Sequence, residues 1–254
     1  AEPVGFTLAL ALPRADEAWL AGFSRGLLTL ADAHGCELVG GDTTQGPLNI
    51  CITVFGEVPP GDALLRQNAQ VGDDIYISGT VGDARLALEV FRGTHNLSGE
   101  AFEQARLRME KPTPRVALGT ALRAVANAAI DVSDGLLGDL GHILKRSGVG
   151  AHIDTNWLQA AGTFGEARLT AGISAVLAEL PWNKRLEFAL SGGDDYELCF
   201  TAPVNQRELV HAAAWETNTP VTRIGRITQE QGLVVLDPQG QPIAKRFASF
   251  DHFA

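Results

Sequence analysis

Apolar and polar positions along this chain switch between a period of two and a period of three to four, and the switches outline its secondary structure. Phe6–Leu12 is an apolar run that predicts a strand, stopped by Pro13. Leu20, Phe23, Leu27 and Leu30 then recur at helical spacing within Asp16–Ala33, and Gly35 is placed to end that helix. Glu37–Val39 is strand-like. Leu48, Ile50, Ile52 and Val54 alternate with Asn49, Cys51 and Thr53, which predicts a half-buried strand. Pro59-Pro60-Gly61 breaks the pattern and marks a domain boundary, giving an N-terminal domain over residues 1–64 and a C-terminal domain over residues 65–254.

Beyond the boundary the texture is α/β. Strands are predicted over Asp74–Ser78, Ala128–Val132, Ala151–Asp154, Phe188–Ser191 and Tyr196–Thr201. Helices are predicted over Gly82–Phe91, Val116–Asn127, Leu136–Arg146 and Asn205–Ala214. Gly93–Gly99 reads as a polar loop, and the stretch from Asp154 to Leu186 is only weakly patterned. Val221–Ile227 with Gly232–Asp237 predicts a closing hairpin. The sequence contains no internal repeat, low-complexity segment or coiled-coil heptad.

Composition narrows the possible partners. The apolar fraction of 45% belongs to an ordinary globular protein, and no run approaches the ~18–20 apolar residues that span a bilayer. A net charge of −10 argues against a nucleic-acid surface, which rewards clustered lysine and arginine. With four lysines against sixteen arginines, a polyphosphate ligand would need metal ions for much of its countercharge. Cys36, Cys51 and Cys199 are scattered and each lies in an apolar stretch, which predicts buried, reduced thiols in a cytoplasmic protein.

The candidate chemistry sits in three glycine-aspartate clusters, each at the end of an apolar run where a strand is expected to give way to a turn. They are Gly40-Gly41-Asp42-Thr43-Thr44, Asp131-Val132-Ser133-Asp134-Gly135 and Ser191-Gly192-Gly193-Asp194-Asp195-Tyr196. Glycine lets a backbone approach a ligand closely, and aspartate supplies the hard oxygen ligands that Mg²⁺ shares with substrate phosphates. Each cluster also has a plainer reading. The first fits a hairpin turn, and the third a solvated turn. In the second, Ser133 or Asp134 fits a cap on the following helix, whose N-terminus also attracts phosphate. Arg66, beside the boundary, fits either a phosphate contact or a surface ion pair. There is no Gly-x-x-x-x-Gly-Lys-Ser/Thr loop, no dinucleotide-binding fingerprint, and no histidine arrangement suited to a zinc protease or a catalytic triad.

These clusters, in order along the whole chain with Lys111-Pro-Thr-Pro-Arg115, Leu190–Leu198 and the terminal Phe250-Asp251-His252-Phe253, resemble the thiamine-monophosphate kinase family. Relatives of that family include aminoimidazole ribonucleotide synthetase, selenophosphate synthetase and a hydrogenase-maturation dehydratase. The resemblance implies a two-domain α/β (α+β) fold of the aminoimidazole ribonucleotide synthetase type. Its N-terminal half builds a dimer barrel, its C-terminal half is an α/β domain, and the site joins Asp42 to Asp131 and Asp134. It implies a cytoplasmic homodimer in thiamine biosynthesis, with ATP as co-substrate and Mg²⁺ as cofactor. The reaction would phosphorylate thiamine monophosphate to thiamine diphosphate by direct in-line transfer.

By the same resemblance Gly41, Asp42, Arg66 and Ser133 would contact ATP, and Asp42, Asp131 and Asp134 would hold Mg²⁺. Asp194, where the family usually has glutamate, would contact the thiamine substrate, and Phe250 would pack on it. The family also carries further acidic metal ligands before the equivalent of Ala1, so some of the metal set is expected upstream of this sequence. No general base is expected, because a phosphate acceptor is already ionised at pH 7. Two alternatives remain at this point: a related ATP-dependent synthetase of the same fold, with selenide or formylglycinamidine ribonucleotide as acceptor, and a nucleotide-binding module without turnover.

Overall fold

The computed structural model describes residues 1–159, 172–245 and 247. The chain divides into two compact units, 1–63 and 64–254.

The first unit is built on β1 (Glu2–Leu12), α1 (Glu17–Ala33), β2 (Glu37–Gln45) and β3 (Asn49–Glu57). α1 starts where Asp16 accepts a hydrogen bond from the Trp19 N–H at 3.1 Å, and it ends at His34 just before Gly35, whose φ is +61°. The helix is long enough to return the chain for a parallel β1–β2 pairing, whereas the short β2–β3 connection makes β3 run antiparallel to β1. The sheet order is β2-β1-β3. Phe6, Leu10 and Leu12 of β1 are buried, but β3 is not the half-buried strand its alternation predicts. Ile50, Ile52, Val54 and Phe55 are all exposed, as are Leu38 and Val39 of β2. Periodicity identifies an apolar face; it does not show what covers it.

The second unit holds a six-stranded sheet, order β5-β7-β4-β8-β6-β9. The strands are β4 (Asp74–Ser78), β5 (Ala128–Val132), β6 (Gly150–Asp154), β7 (Glu197–Ala202), β8 (Val221–Thr228) and β9 (Gly232–Leu236). The helices are α2 (Asp83–Phe91), α3 (Gly99–Glu110), α4 (Val116–Ala121), α5 (Leu136–Ser147), α6 (Ala175–Ala178), α7 (Trp182–Ser191) and α8 (Arg207–Glu216). Alternation along β4 sorts the core into two layers. Ile75 and Ile77 join Leu86 of α2, Leu140 and Ile143 of α5 and Phe188 of α7 on one face. Tyr76 joins Leu118 of α4, Phe200 of β7 and Val210 of α8 on the other. The Tyr76 and Phe200 rings stack at 5.2 Å across neighbouring strands.

Several expectations are corrected here. Phe188–Ser191 is the last turn of α7, because Leu186, Ala189 and Leu190 bury one helical stripe that a four-residue window cannot distinguish from a strand. The closing hairpin does not form: β9 pairs in parallel with β6, while β8 lies between β6 and β4. The predicted helix Val116–Asn127 ends at Ala121, and Ala124 takes a left-handed φ of +61°. α3, which no apolar period announces, is a largely polar helix with one fully buried residue, Ala105. All three cysteines are free, but Cys51 is exposed and Cys36 half-buried; only Cys199 matches the buried-thiol expectation.

Candidate active site

The second and third clusters meet at the β5–β7 edge of the sheet. β5 and β7 pair with Asp131 opposite Leu198 and Val132 opposite Glu197. The ladder continues past the strands into both loops. The Tyr196 N–H donates to the Val132 carbonyl at 2.8 Å, and the Asp194 N–H to the Ser133 carbonyl at 2.9 Å. This close approach explains Gly193, since a Cβ there would lie 2.5 Å from the Ser133 oxygen. Two loops some sixty residues apart in sequence thus become one rim carrying Asp131, Ser133, Asp134 and Asp194. Arg66 reaches the same rim, its Nη2 4.0 Å from Asp131 Oδ1, with both side chains more than half exposed. A screened pair at that distance contributes little to stability.

Neither Ser133 nor Asp134 caps α5. The N-cap is Gly135, which offers no side chain, and Asp139 from the next turn reaches back instead. Its Oδ2 accepts the N–H groups of Ser133 and Asp134, each at 3.0 Å. Those two amides are therefore committed to the protein's own carboxylate. Burial raises the Asp139 carboxyl above its ordinary range, against the two amide hydrogen bonds that lower it; Asp134 and Asp131 add to the rise.

The adjacent acids of the third cluster separate. Asp194 projects from the rim with φ +65°, whereas Asp195 is 1% exposed and accepts the Gly82 N–H with both oxygens at 3.0 and 2.9 Å. Burial pushes the Asp195 carboxyl well above its usual value, and the nearby Asp83 raises it further. Asp195 fastens the loop to the start of α2, and Asp194 is the member of the pair that faces out. Glu197, two residues on, is fully buried and anchors Arg108, Arg115 and Ser78. The Lys111–Arg115 motif thus ends in a guanidinium clamped beneath the rim. A carboxylate inside an otherwise apolar strand was the sequence signal for this, because a buried charge needs partners. Asp139 and Asp195 carried no comparable signal.

The first cluster is no turn. Gly40–Thr44 lies within β2, with Gly41 opposite Leu8 of β1. Gly41 has φ +149°, and a Cβ would sit 1.9 Å from the Leu8 oxygen, so strand pairing alone requires glycine here. Asp42 is exposed on that strand. Phe250 lies outside the described residues. Beside the start of α5, an apolar groove of about 460 Å³ is lined by Leu137, Val235, Ile243 and Phe247, with Lys245 at its edge. Among the described residues no three His, Cys, Asp or Glu side chains converge as a complete metal site. No helix among them is long and apolar enough to cross a membrane.

Two family models cover this architecture: the AIR synthase related protein N-terminal domain matches residues 1–58, and the corresponding C-terminal domain residues 70–237. The class is therefore the two-domain AIR synthase-related proteins. The thiamine-monophosphate kinase of Escherichia coli K12 is 40% identical over 256 residues, 100% of this chain and 75% of that protein. The crystal structure of thiamine-monophosphate kinase from Stenotrophomonas maltophilia K279a matches with a TM-score of 0.84 and 47% identity, covering 96% of this chain and 74% of that one. A structure of AaThiL complexed with AMPPCP and TMP matches with a TM-score of 0.78 and 27% identity, covering 99% and 74%. The chain belongs to the thiamine-monophosphate kinase family, and it spans about three quarters of the length of these relatives.

Proposed function

We propose that this protein transfers the terminal phosphoryl group of ATP to thiamine monophosphate, forming thiamine diphosphate and ADP. The observation that carries the reading is the joined rim, which gathers Asp131, Ser133, Asp134 and Asp194 in a chain of this family. A structural relative was determined with an ATP analogue and TMP together, which fits a direct transfer between the two.

Asp131 at the end of β5 and Asp134 in the loop that follows offer hard oxygen donors, with Asp139 holding that loop's amides, and this donor set suits Mg²⁺. Mg²⁺ is commonly held by one or two carboxylates together with substrate phosphates, so a site completed by ligand oxygens is in keeping with the family. Bound there, it would offset the repulsion between donor and acceptor phosphates. Asp42, on the other unit, is assigned to the same metal function, and Gly41 to ATP, on their motif alone. Arg66 is assigned to the ATP phosphates, Ser133 to ATP through its hydroxyl, and Asp194 and Phe250 to the acceptor. Transfer to an oxygen already ionised at neutral pH needs alignment and charge neutralisation, with no proton to remove.

We also propose a cytoplasmic homodimer. The apolar side chains of Ile50, Ile52 and Val54, exposed two residues apart along β3, line one sheet face that a second copy would cover. Incubating the protein with Mg²⁺, ATP and thiamine monophosphate should release ADP and yield thiamine diphosphate on chromatography. ADP release with selenide or formylglycinamidine ribonucleotide, and none with thiamine monophosphate, would overturn the acceptor. Mg·ATP binding without product from any acceptor would make the protein a binding module.

A further inference from the structure

Tyr196 has no role in the assignments above. Its chain neighbours Asp195 and Glu197 are 1% and 0% exposed, yet Tyr196 itself is 45% exposed. It stands on the joined rim, tied at its backbone to Val132, and its hydroxyl donates to Asp194 Oδ1 at 3.3 Å. Its backbone is left-handed, φ +50°, a conformation that a bulky side chain rarely adopts. Partial burial raises the phenol above its usual value, and the charges of Asp194, Asp134 and Asp131 raise it further. The hydroxyl therefore keeps its proton and stays a donor, and those three carboxylates lie within electrostatic reach of the ring. An aromatic face already attracts cations, and carboxylates around its edge strengthen that preference.

The acceptor supplies a matching group. The thiazolium ring of thiamine monophosphate is flat, carries a fixed positive charge, and is joined to its phosphate through a two-carbon link. Because the Tyr196 backbone is bonded to Val132, between Asp131 and Asp134 in sequence, a thiazolium at Tyr196 would put that phosphate on the rim that carries both acids. Resting on the kinase reading above, we propose that Tyr196 is a specificity-determining residue that takes the cationic ring of the acceptor against its face, with Asp194, held by the tyrosine hydroxyl, as countercharge.

Steady-state kinetics on Tyr196→Phe and Tyr196→Asn test this. Phenylalanine keeps the ring, and asparagine tolerates a left-handed backbone without an aromatic face. Tyr196→Asn should raise KM for thiamine monophosphate about tenfold and leave KM for ATP and the thermal midpoint unchanged. Tyr196→Phe should stay within about threefold of wild type, as only one neutral hydrogen bond is lost. An acceptor whose thiazolium is replaced by a neutral thiophene should bind the wild type about tenfold more weakly than thiamine monophosphate, and Tyr196→Asn should lose that preference. A wild type that treats the cationic and neutral acceptors alike overturns the proposal, as does a folded Tyr196→Asn with unchanged KM. Both results leave the kinase reading standing, whereas a wild type that makes no thiamine diphosphate removes the two together.

Discussion

Replacing Glu197 with alanine should destabilise the 64–254 unit more than any exposed substitution on the rim. The carboxylate is fully buried and accepts four hydrogen bonds: from Arg108 Nη2 at 2.5 Å, from Arg115 Nε at 2.7 Å and Nη2 at 2.6 Å, and from Ser78 Oγ at 2.5 Å. The two guanidinium side chains are only 21% and 14% exposed, so removing the acid strands two largely desolvated cations and a hydroxyl donor. Breaking a buried pair from one side costs about 3–5 kcal/mol. For a unit of this size each kcal/mol moves the midpoint by about 2–4 °C, so Tm should fall by about 6–20 °C. Urea unfolding followed by circular dichroism reads the same quantity, with the m-value unchanged if the native and denatured states keep their compactness. Glu197→Gln, which keeps the shape and one acceptor oxygen, should lose less. A double-mutant cycle with Arg115→Ala should show strong coupling between the two positions. A loss below about 1 kcal/mol for Glu197→Ala would refute the view that this carboxylate holds the arginines beneath the rim.

Other substitutions separate catalysis, titration and assembly. Asp131→Ala and Asp134→Ala should each slow product formation at least about a hundredfold, and Asp131→Ala should leave the thermal midpoint near wild type, because that exposed side chain makes only a screened pair with Arg66; near-wild-type ADP release by Asp131→Ala would sink the metal assignment. Asp195 holds its proton in the folded state at pH values where the unfolded chain has released it. Its favourable contribution is complete below the ordinary carboxylate pKa and is lost as pH rises through the raised native value. Asp195→Asn should therefore gain on wild type between pH 5 and pH 9 in thermal melts, and a difference that does not change with pH would contradict this. Ile52→Asp, on the exposed face of β3, should convert a dimer to a monomer in sedimentation experiments, whereas a wild type already monomeric would remove the proposed interface.

Local patterning sufficed for much of this protein. Short apolar runs, alternating in β3, located β3, β4, β5 and β7 closely, and the helical spacing from Leu20 to Leu30 with Gly35 beyond it marked α1, because these signals lie within a few residues of one another. The glycine-aspartate clusters and the Lys111–Arg115 motif were legible in the same way, as were the candidate residues Asp42, Asp131, Asp134 and Asp194. Pairing in space decided the rest. Whether Gly41 serves a turn or a strand depends on Leu8 of another strand, and whether β9 follows β8 or β6 depends on a parallel partner some eighty residues earlier. The division of Asp194 from Asp195 rests on the Gly82 amide, and the joining of the two rim loops rests on the Ser133 and Val132 carbonyls. Hydrogen bonds between distant segments leave no period in the sequence. The chain's own order therefore names the acids, and the folded sheet edge determines which of them stand together and which lie buried as anchors.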